Sequence, residues 1–288
     1  MIFGPTVQGG WPGGLEAHGY GGLMRHAIYL PLFGALSDPS AIADIAAATE
    51  QAGWDGLFVW DHVLSPVEGR WEIADPWIAL AAAAMVTERI RLGPMVTPLP
   101  RRRVLKLARE TVTLDRLSRG RLIVGLGTGG DIAREYSAFG EDSDARRLGQ
   151  VLDDGTAVLT ALWAGQTVTS RRAVVIEAVE AMPGPVQQPR IPLWFGTARA
   201  AGRPIDRAAR YDGIFPLGAD AMRVARIADA IEQVRGGSCA GFDIAVAAQP
   251  GDDLAGLAAA GATWALHAFW PGHRPDQVLR VISRGAPD

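Results

Sequence analysis

The chain has 288 residues and a formal net charge of -3, which leaves little room for two full domains and provides no basic field for nucleic acid. Hydrophobic residues make up 48% and charged residues 20%, the composition of a packed core, which excludes bulk disorder. The single cysteine, Cys239, excludes an internal disulfide framework and any multi-cysteine metal site, and Lys106 is the only lysine among 28 basic residues.

Residues 1–23 are glycine-rich and hold no apolar run of signal-peptide type, so they read as a flexible extension ahead of a domain spanning 24–288. His26 to Gly34 reads as a strand. Asp38-Pro39, a carboxylate N-cap with proline in the first turn, then opens a helix that stops at Gly53. Asp55 to Trp60 is a second apolar strand. Asp75-Pro76 repeats the cap before an alanine-rich helix, and Ile90 to Val96 is a third strand. Arg102 to Leu117 has helical spacing of its apolar residues, and Arg121 to Gly125 is a fourth strand that enters GLGTGG. A helix follows over Asp144 to Trp163, then an irregular stretch, Ala164 to Arg190, punctuated by Pro183, Pro185 and Pro189. Strands at Ile191 to Phe195, Gly213 to Pro216, Phe242 to Ala248 and Thr263 to Phe269 alternate with helices near 204–210, 219–234, 252–260 and 275–283. Leu254 to His273 lacks charge over a nominal membrane-span length. Gly256, Gly261, Pro271 and Gly272 interrupt it, so it reads as helix, turn and strand. A cytoplasmic protein with no membrane partner is the expectation.

Eight near-continuous apolar strands alternating with eight helices close most naturally into a single α/β domain, a (β/α)₈ TIM-type barrel. A doubly wound open sheet would place its glycine fingerprint after the first strand, whereas GLGTGG follows the fourth.

Barrel chemistry sits at the C-terminal ends of strands, so each end is a candidate site. Strand two ends in Asp61-His62, an imidazole beside a carboxylate, which suits proton transfer or plain loop capping. Strand three ends between prolines in Met95-Val96-Thr97, and strand four in Gly127-Thr128-Gly129-Gly130-Asp131, where a backbone without side chains can approach a planar or phosphorylated ligand. Strand five ends in Gly196-Thr197-Ala198, again small. His267 and Trp270, with Phe33, are candidates for a substrate-pocket wall, and core packing is the competing reading. Arg101, Arg102 and Arg103 read as a solvated helix start. No metal-ligand spacing and no GxSxG occur, so no metal site is expected. These residues by themselves define a barrel enzyme with a flat or phosphate-bearing cofactor.

Three stretches resemble the luciferase-like flavin and deazaflavin monooxygenase/oxidoreductase family. They are AGWDGLFVWDHV (Ala52 to Val63), TERIRLGPMVTPLPRRRVLKLARETVTLDRLSRGRLIVGLGTGG (Thr87 to Gly130) and PRIPLWFGTARAAGRPIDRAARYDGIF (Pro189 to Phe215). Glu135-Tyr136-Ser137-Ala138-Phe139-Gly140 also fits its pattern. The resemblance implies a barrel that binds reduced FMN or the deazaflavin coenzyme F420 at the strand ends. It implies His62 as proton donor/acceptor or as a stabiliser of the ring's changing charge, with Asp61 orienting it or touching the coenzyme. It implies a non-proline cis peptide at Met95-Val96 behind the ring, cofactor contacts from Met95, Val96, Thr97 and Gly127 to Gly130, and a phosphate loop at Gly196, Thr197 and Ala198. A homodimer acting on a small organic molecule goes with it.

Departures narrow the activity. Sugar-phosphate dehydrogenases of the family place Glu directly after Gly-Thr-Gly, a Trp shortly after Asp-His, and lysines for the phosphate. This chain has Gly130, then Val63 to Pro66, and a lone Lys106 on a helix. The expected activity is hydride transfer or oxygenation. A non-catalytic flavin-binding barrel and a non-redox enzyme on a phosphorylated metabolite are the alternatives.

Overall fold

The computed structural model describes residues 24–287. The extension expected over residues 1–23 lies outside them. Strands and helices alternate from the start. β1 (Arg25–Leu30), β2 (Gly56–Val59), β3 (Arg91–Pro94), β4 (Thr97–Pro98), β5 (Val124–Gly127), β8 (Leu193–Thr197), β9 (Gly213–Pro216), β10 (Asp243–Ala248) and β11 (Trp264–Ala268) form one parallel sheet. Its order is β3-β2-β1-β11-β10-β9-β8-β5-β4. β3 and β4 are two halves of one stave, and a parallel bridge between Leu92 and Leu122 joins that stave to the foot of β5. The sheet therefore closes as an eight-stave barrel, as the alternation predicts.

The caps lie where the sequence puts them. Asp38 accepts from Ser40 N ahead of α1 (Pro39–Gln51), and Asp75 accepts from Trp77 N and Ile78 N ahead of α2 (Pro76–Met85). The outer layer continues with α3 (Val104–Leu117), α4 (Ala145–Trp163), α5 (Arg203–Ala208), α6 (Ala221–Val234), α7 (Leu254–Ala259) and α8 (Pro275–Ile282). Among the described residues no helix is long and apolar enough to cross a membrane.

Two expected stretches differ. The first strand ends at Leu30, because residues 34–36 form a 3₁₀ turn and Phe33 bridges to Ile73 instead. The irregular stretch contains an antiparallel hairpin, β6 (Val168–Arg171) with β7 (Val175–Val179). Its side chains are mostly exposed, so it lacked the apolar run of the barrel strands.

Side chains alternate across each strand and so make two cores. The lumen is filled by Ala27, Tyr29, Phe58, Met95, Ile123, Trp194, Phe215, Ala245, Trp264 and Leu266. Phe58 and Trp264 pack edge to face, their centroids 5.8 Å apart. The opposite faces meet the helices. Part of the Thr87 to Gly130 stretch works at the closed end. Arg121 is buried and donates to Ser118 O, Ile90 O, Ala84 O and both oxygens of Thr87, while buried Asp115 accepts from Val186 N, Gln187 N and Gln187 Nε2. These bonds satisfy carbonyls and amides left at helix and strand ends.

Candidate active site

The open end of the barrel is floored by the half-buried Trp60, Val96, Ala247 and Ala268, which cap the lumen. The Met95-Val96 peptide is cis, and the Met95 carbonyl accepts from the buried Tyr29 hydroxyl. Val96 lies at the centre. A Cβ on Gly127 would sit 2.8 Å from its Cγ2, and one on Gly196 would sit 3.0 Å from both its methyls. Two glycines expected to admit a cofactor thus make room for Val96 on the face where a side chain would stand. Gly130 differs, since a Cβ there meets nothing within 4 Å among the described residues.

The glycine loop is held from outside. The Tyr136 hydroxyl donates to Thr128 O at 2.5 Å, and Gly129, at φ +68°, has Pro98 Cβ 2.9 Å from where its own Cβ would be. Asp131, next to the position where sugar-phosphate enzymes have Glu, accepts from Tyr136 N and Ser137 N. Those bonds hold its acid below the usual carboxylate range. Thr197 is tied to the Arg199 backbone, accepting from its N and donating to its O. Ala198 is exposed beside it.

Asp61 and His62 part company at the end of β2. The Asp61 side chain is 0% exposed. It accepts from Thr97 Oγ1 at 2.7 Å, from Arg102 Nη2 at 2.8 and 2.9 Å, and from Arg101 Nη2 at 3.2 Å. It makes no bond to His62. The carboxylate that meets the imidazole is Glu135, whose Oε2 lies 3.2 Å from His62 Nδ1. Glu135 Oε1 accepts from Val63 N at 2.6 Å, Leu64 N at 3.2 Å and Arg101 Nη1 at 2.6 Å. Burial alone would raise the Glu135 acid. Bonds from His62 and Val63 and the Arg101 charge outweigh it and hold the group below the ordinary range.

Arg101 and Arg102 correct the expectation of a solvated run. Arg101 is 6% exposed because two carboxylates from other loops wrap it. Thr97 likewise serves Asp61 from behind the wall. No local spacing marked Glu135. It appeared in the sequence only as part of the matching stretch, without a role.

An aromatic wall stands over the imidazole. Buried Phe33 lies 6.0 Å from the His62 ring and 6.1 Å from that of Trp60, and the exposed Trp270 stacks edge-on to Trp60 at 5.6 Å. Trp270 Nε1 donates to Gln249 Oε1. His267 is not in this wall. Trp264, Leu266 and Ala268 take the lumen face of β11, so parity turns His267 outward against Trp54 at 4.9 Å and His26 Nδ1 at 3.0 Å.

A family profile described as luciferase-like monooxygenase matches residues 8–253. Among solved structures, the coenzyme F420-dependent tetrahydromethanopterin reductase of Methanopyrus kandleri superposes with a TM-score of 0.74 at 16% identity, over 91% of this chain and 98% of that one. A monooxygenase from Streptomyces bottropensis gives 0.72 at 20% identity, over 90% and 96%. The oxygenating constituent of 3,6-diketocamphane monooxygenase of Pseudomonas putida, in complex with FMN, gives 0.63 at 17%, over 78% and 66%. At such identities these likenesses establish the fold. The profile match spans most of the chain, and with it the protein belongs to the luciferase-like monooxygenase family.

Proposed function

We propose that the protein is a redox enzyme that holds a reduced coenzyme, F420 in first place and FMN as the alternative, flat across the barrel mouth and acts on a small organic molecule. The observation that carries this reading is the half-buried His62 imidazole, tied to a buried carboxylate and standing under an aromatic wall. The residues present fit a planar ring. Trp60, Val96, Ala247 and Ala268 offer an apolar floor, open space lies at Gly130, and Trp60 Nε1 is a buried donor without a partner among the described residues. Thr128 to Gly130 and Gly196 to Ala198 would form the rims. When bound, the coenzyme supplies the hydride or oxygen chemistry.

In this reading His62 gives or takes the proton at the substrate. Asp61 holds Arg101 and Arg102 in place, and Phe33 backs the imidazole while Trp270 faces the substrate. Lys106 pairs with Glu110 on the outside of α3, which supports setting sugar-phosphate oxidation aside. A cytoplasmic homodimer completes the proposal; light scattering checks the dimer and cell fractionation the location.

The test is titration of the apo protein with reduced F420 and with reduced FMN. The expected result is saturable binding of F420, with a stabilisation of about 2.7 kcal/mol at a hundredfold excess over Kd. Saturation by FMN alone moves the assignment to FMN. Tight flavin binding without substrate-dependent oxidation favours the non-catalytic flavin barrel. Binding of neither overturns the proposal.

A further inference from the structure

The two oxygens of Glu135 are used unequally. Oε1 takes three donors, Val63 N, Leu64 N and Arg101 Nη1, while among the described residues Oε2 faces only His62 Nδ1. An ionised carboxylate accepts and cannot donate, so the ring nitrogen facing it carries a proton. In the neutral ring the other nitrogen, Nε2, then holds the lone pair. Nε2 makes no hydrogen bond among the described residues, and the side chain is 28% exposed. Arg101 keeps this arrangement in one state. Its Nη1 reaches Glu135 and its Nη2 reaches the Asp61 carbonyl at 2.9 Å, fastening the loop after β5 to the end of β2.

We propose that Glu135 is a positioning residue that sets the tautomer of His62, fixing the ring proton on Nδ1 and leaving Nε2 as the proton acceptor. The inference rests on His62 being the catalytic imidazole for its functional meaning, yet the tautomer itself is measurable without turnover. Glu135→Gln is the informative variant. The amide oxygen keeps the three donors of Oε1, so the NH₂ group takes the place of Oε2 and needs an acceptor. His62 Nδ1 is the acceptor at hand, and the ring proton moves to Nε2 with the surrounding loop intact.

The measurement is ¹⁵N NMR of histidine-labelled protein at about pH 9, above the ordinary imidazole range, with His62 signals assigned by their loss in His62→Gln. The expected native ring is protonated on Nδ1 and bare on Nε2, and Glu135→Gln reverses this. In the enzyme assay that variant lowers kcat by about 10²-fold or more with KM little changed, as loss of a general base does. A native ring protonated on Nε2, or on both nitrogens, overturns the inference, and so does an unchanged tautomer in a folded Glu135→Gln. If that variant does not fold, the native spectrum decides alone. A reversed tautomer with full turnover would sustain the inference and sink the catalytic reading of His62. A His62→Gln enzyme without turnover, beside a native ring protonated on Nε2, would do the opposite.

Discussion

His62 follows β2 and His267 lies in β11, staves separated only by β1, and their surroundings could hardly differ more. His62 meets a carboxylate that is itself anchored by an arginine and two backbone amides. His267 meets the edge of Trp54 and a second imidazole, His26, with no carboxylate on the ring among the described residues. Burial, joined by the neighbouring His26, pushes His267 down to about 4, and burial also lowers His26 against the pull of Asp55. Behind the wall a histidine is a neutral packing residue that happens to hydrogen-bond. At the mouth, the same side chain sits in an ionised network that can hold a proton in a defined place. Strand parity and one distant glutamate make that difference.

The comparison is broken most severely by removing its anchor. Arg101→Leu leaves Glu135 buried without its guanidinium, and Asp61 with Arg102 as its one remaining guanidinium. The expected loss of unfolding free energy is about 3–5 kcal/mol by urea denaturation. Arg89→Leu, which removes a 73% exposed partner of Glu50, should stay within about 0.5 kcal/mol. Equal effects of the two would show that the buried network contributes no more than a surface pair.

Next in size are the two histidines themselves. His62→Gln should lower kcat by about 10²–10⁴ with the melting temperature nearly unchanged. His267→Leu should leave kcat unaltered and change the acid limb of stability instead. The unfolded His267 titrates near its ordinary 6.5 and the native one near 4, so the unfolded state binds the extra proton between those values. Native stability is therefore fully present above 6.5 and falls with the pH through that window, by roughly 3 kcal/mol in all. In His267→Leu that part of the slope disappears. A kinetic defect in His267→Leu without a change in slope would reverse the roles assigned to the two rings.

Much of this was legible from residue order, and what was missed has physical causes. Asp38-Pro39 and Asp75-Pro76 marked helix starts because capping is local, decided within three residues. The eight staves were legible because buried parallel strands are apolar throughout. The pairing of Glu135 with His62 spans 73 residues and that with Arg101 spans 34, so no spacing rule reaches it. Arg101 to Arg103 looked solvated because three adjacent charges normally are, and only the carboxylates brought by two other loops bury the first. His267 could have been placed from parity, since Trp264, Leu266 and Ala268 already claim the lumen side. Within the matching stretch Thr87 to Gly130, Asp115 and Arg121 hold the closed end together and say nothing about the reaction.

The smallest effect concerns the two kinds of glycine at the mouth. Gly127→Ala places a methyl 2.8 Å from Val96 Cγ2 on a packed floor, where overpacking costs about 1–3 kcal/mol. Gly130→Ala meets open space with ordinary φ, so its stability change should lie within about 0.5 kcal/mol. Trimming the neighbour separates packing from backbone effects. In a Val96→Ala background, Gly127→Ala should recover part of its cost, with a coupling of at least about 0.5 kcal/mol. A ligand that lies over the loop reads the pair the other way round. Its affinity should fall in Gly130→Ala, where the added methyl stands in the open space. In Gly127→Ala the added methyl points into Val96, so any change in affinity comes through the floor that Val96 forms. If Gly130→Ala binds both reduced coenzymes as the native protein does, the rim at Gly130 is not part of the coenzyme site, and the apolar floor around Val96 must hold the ring without it.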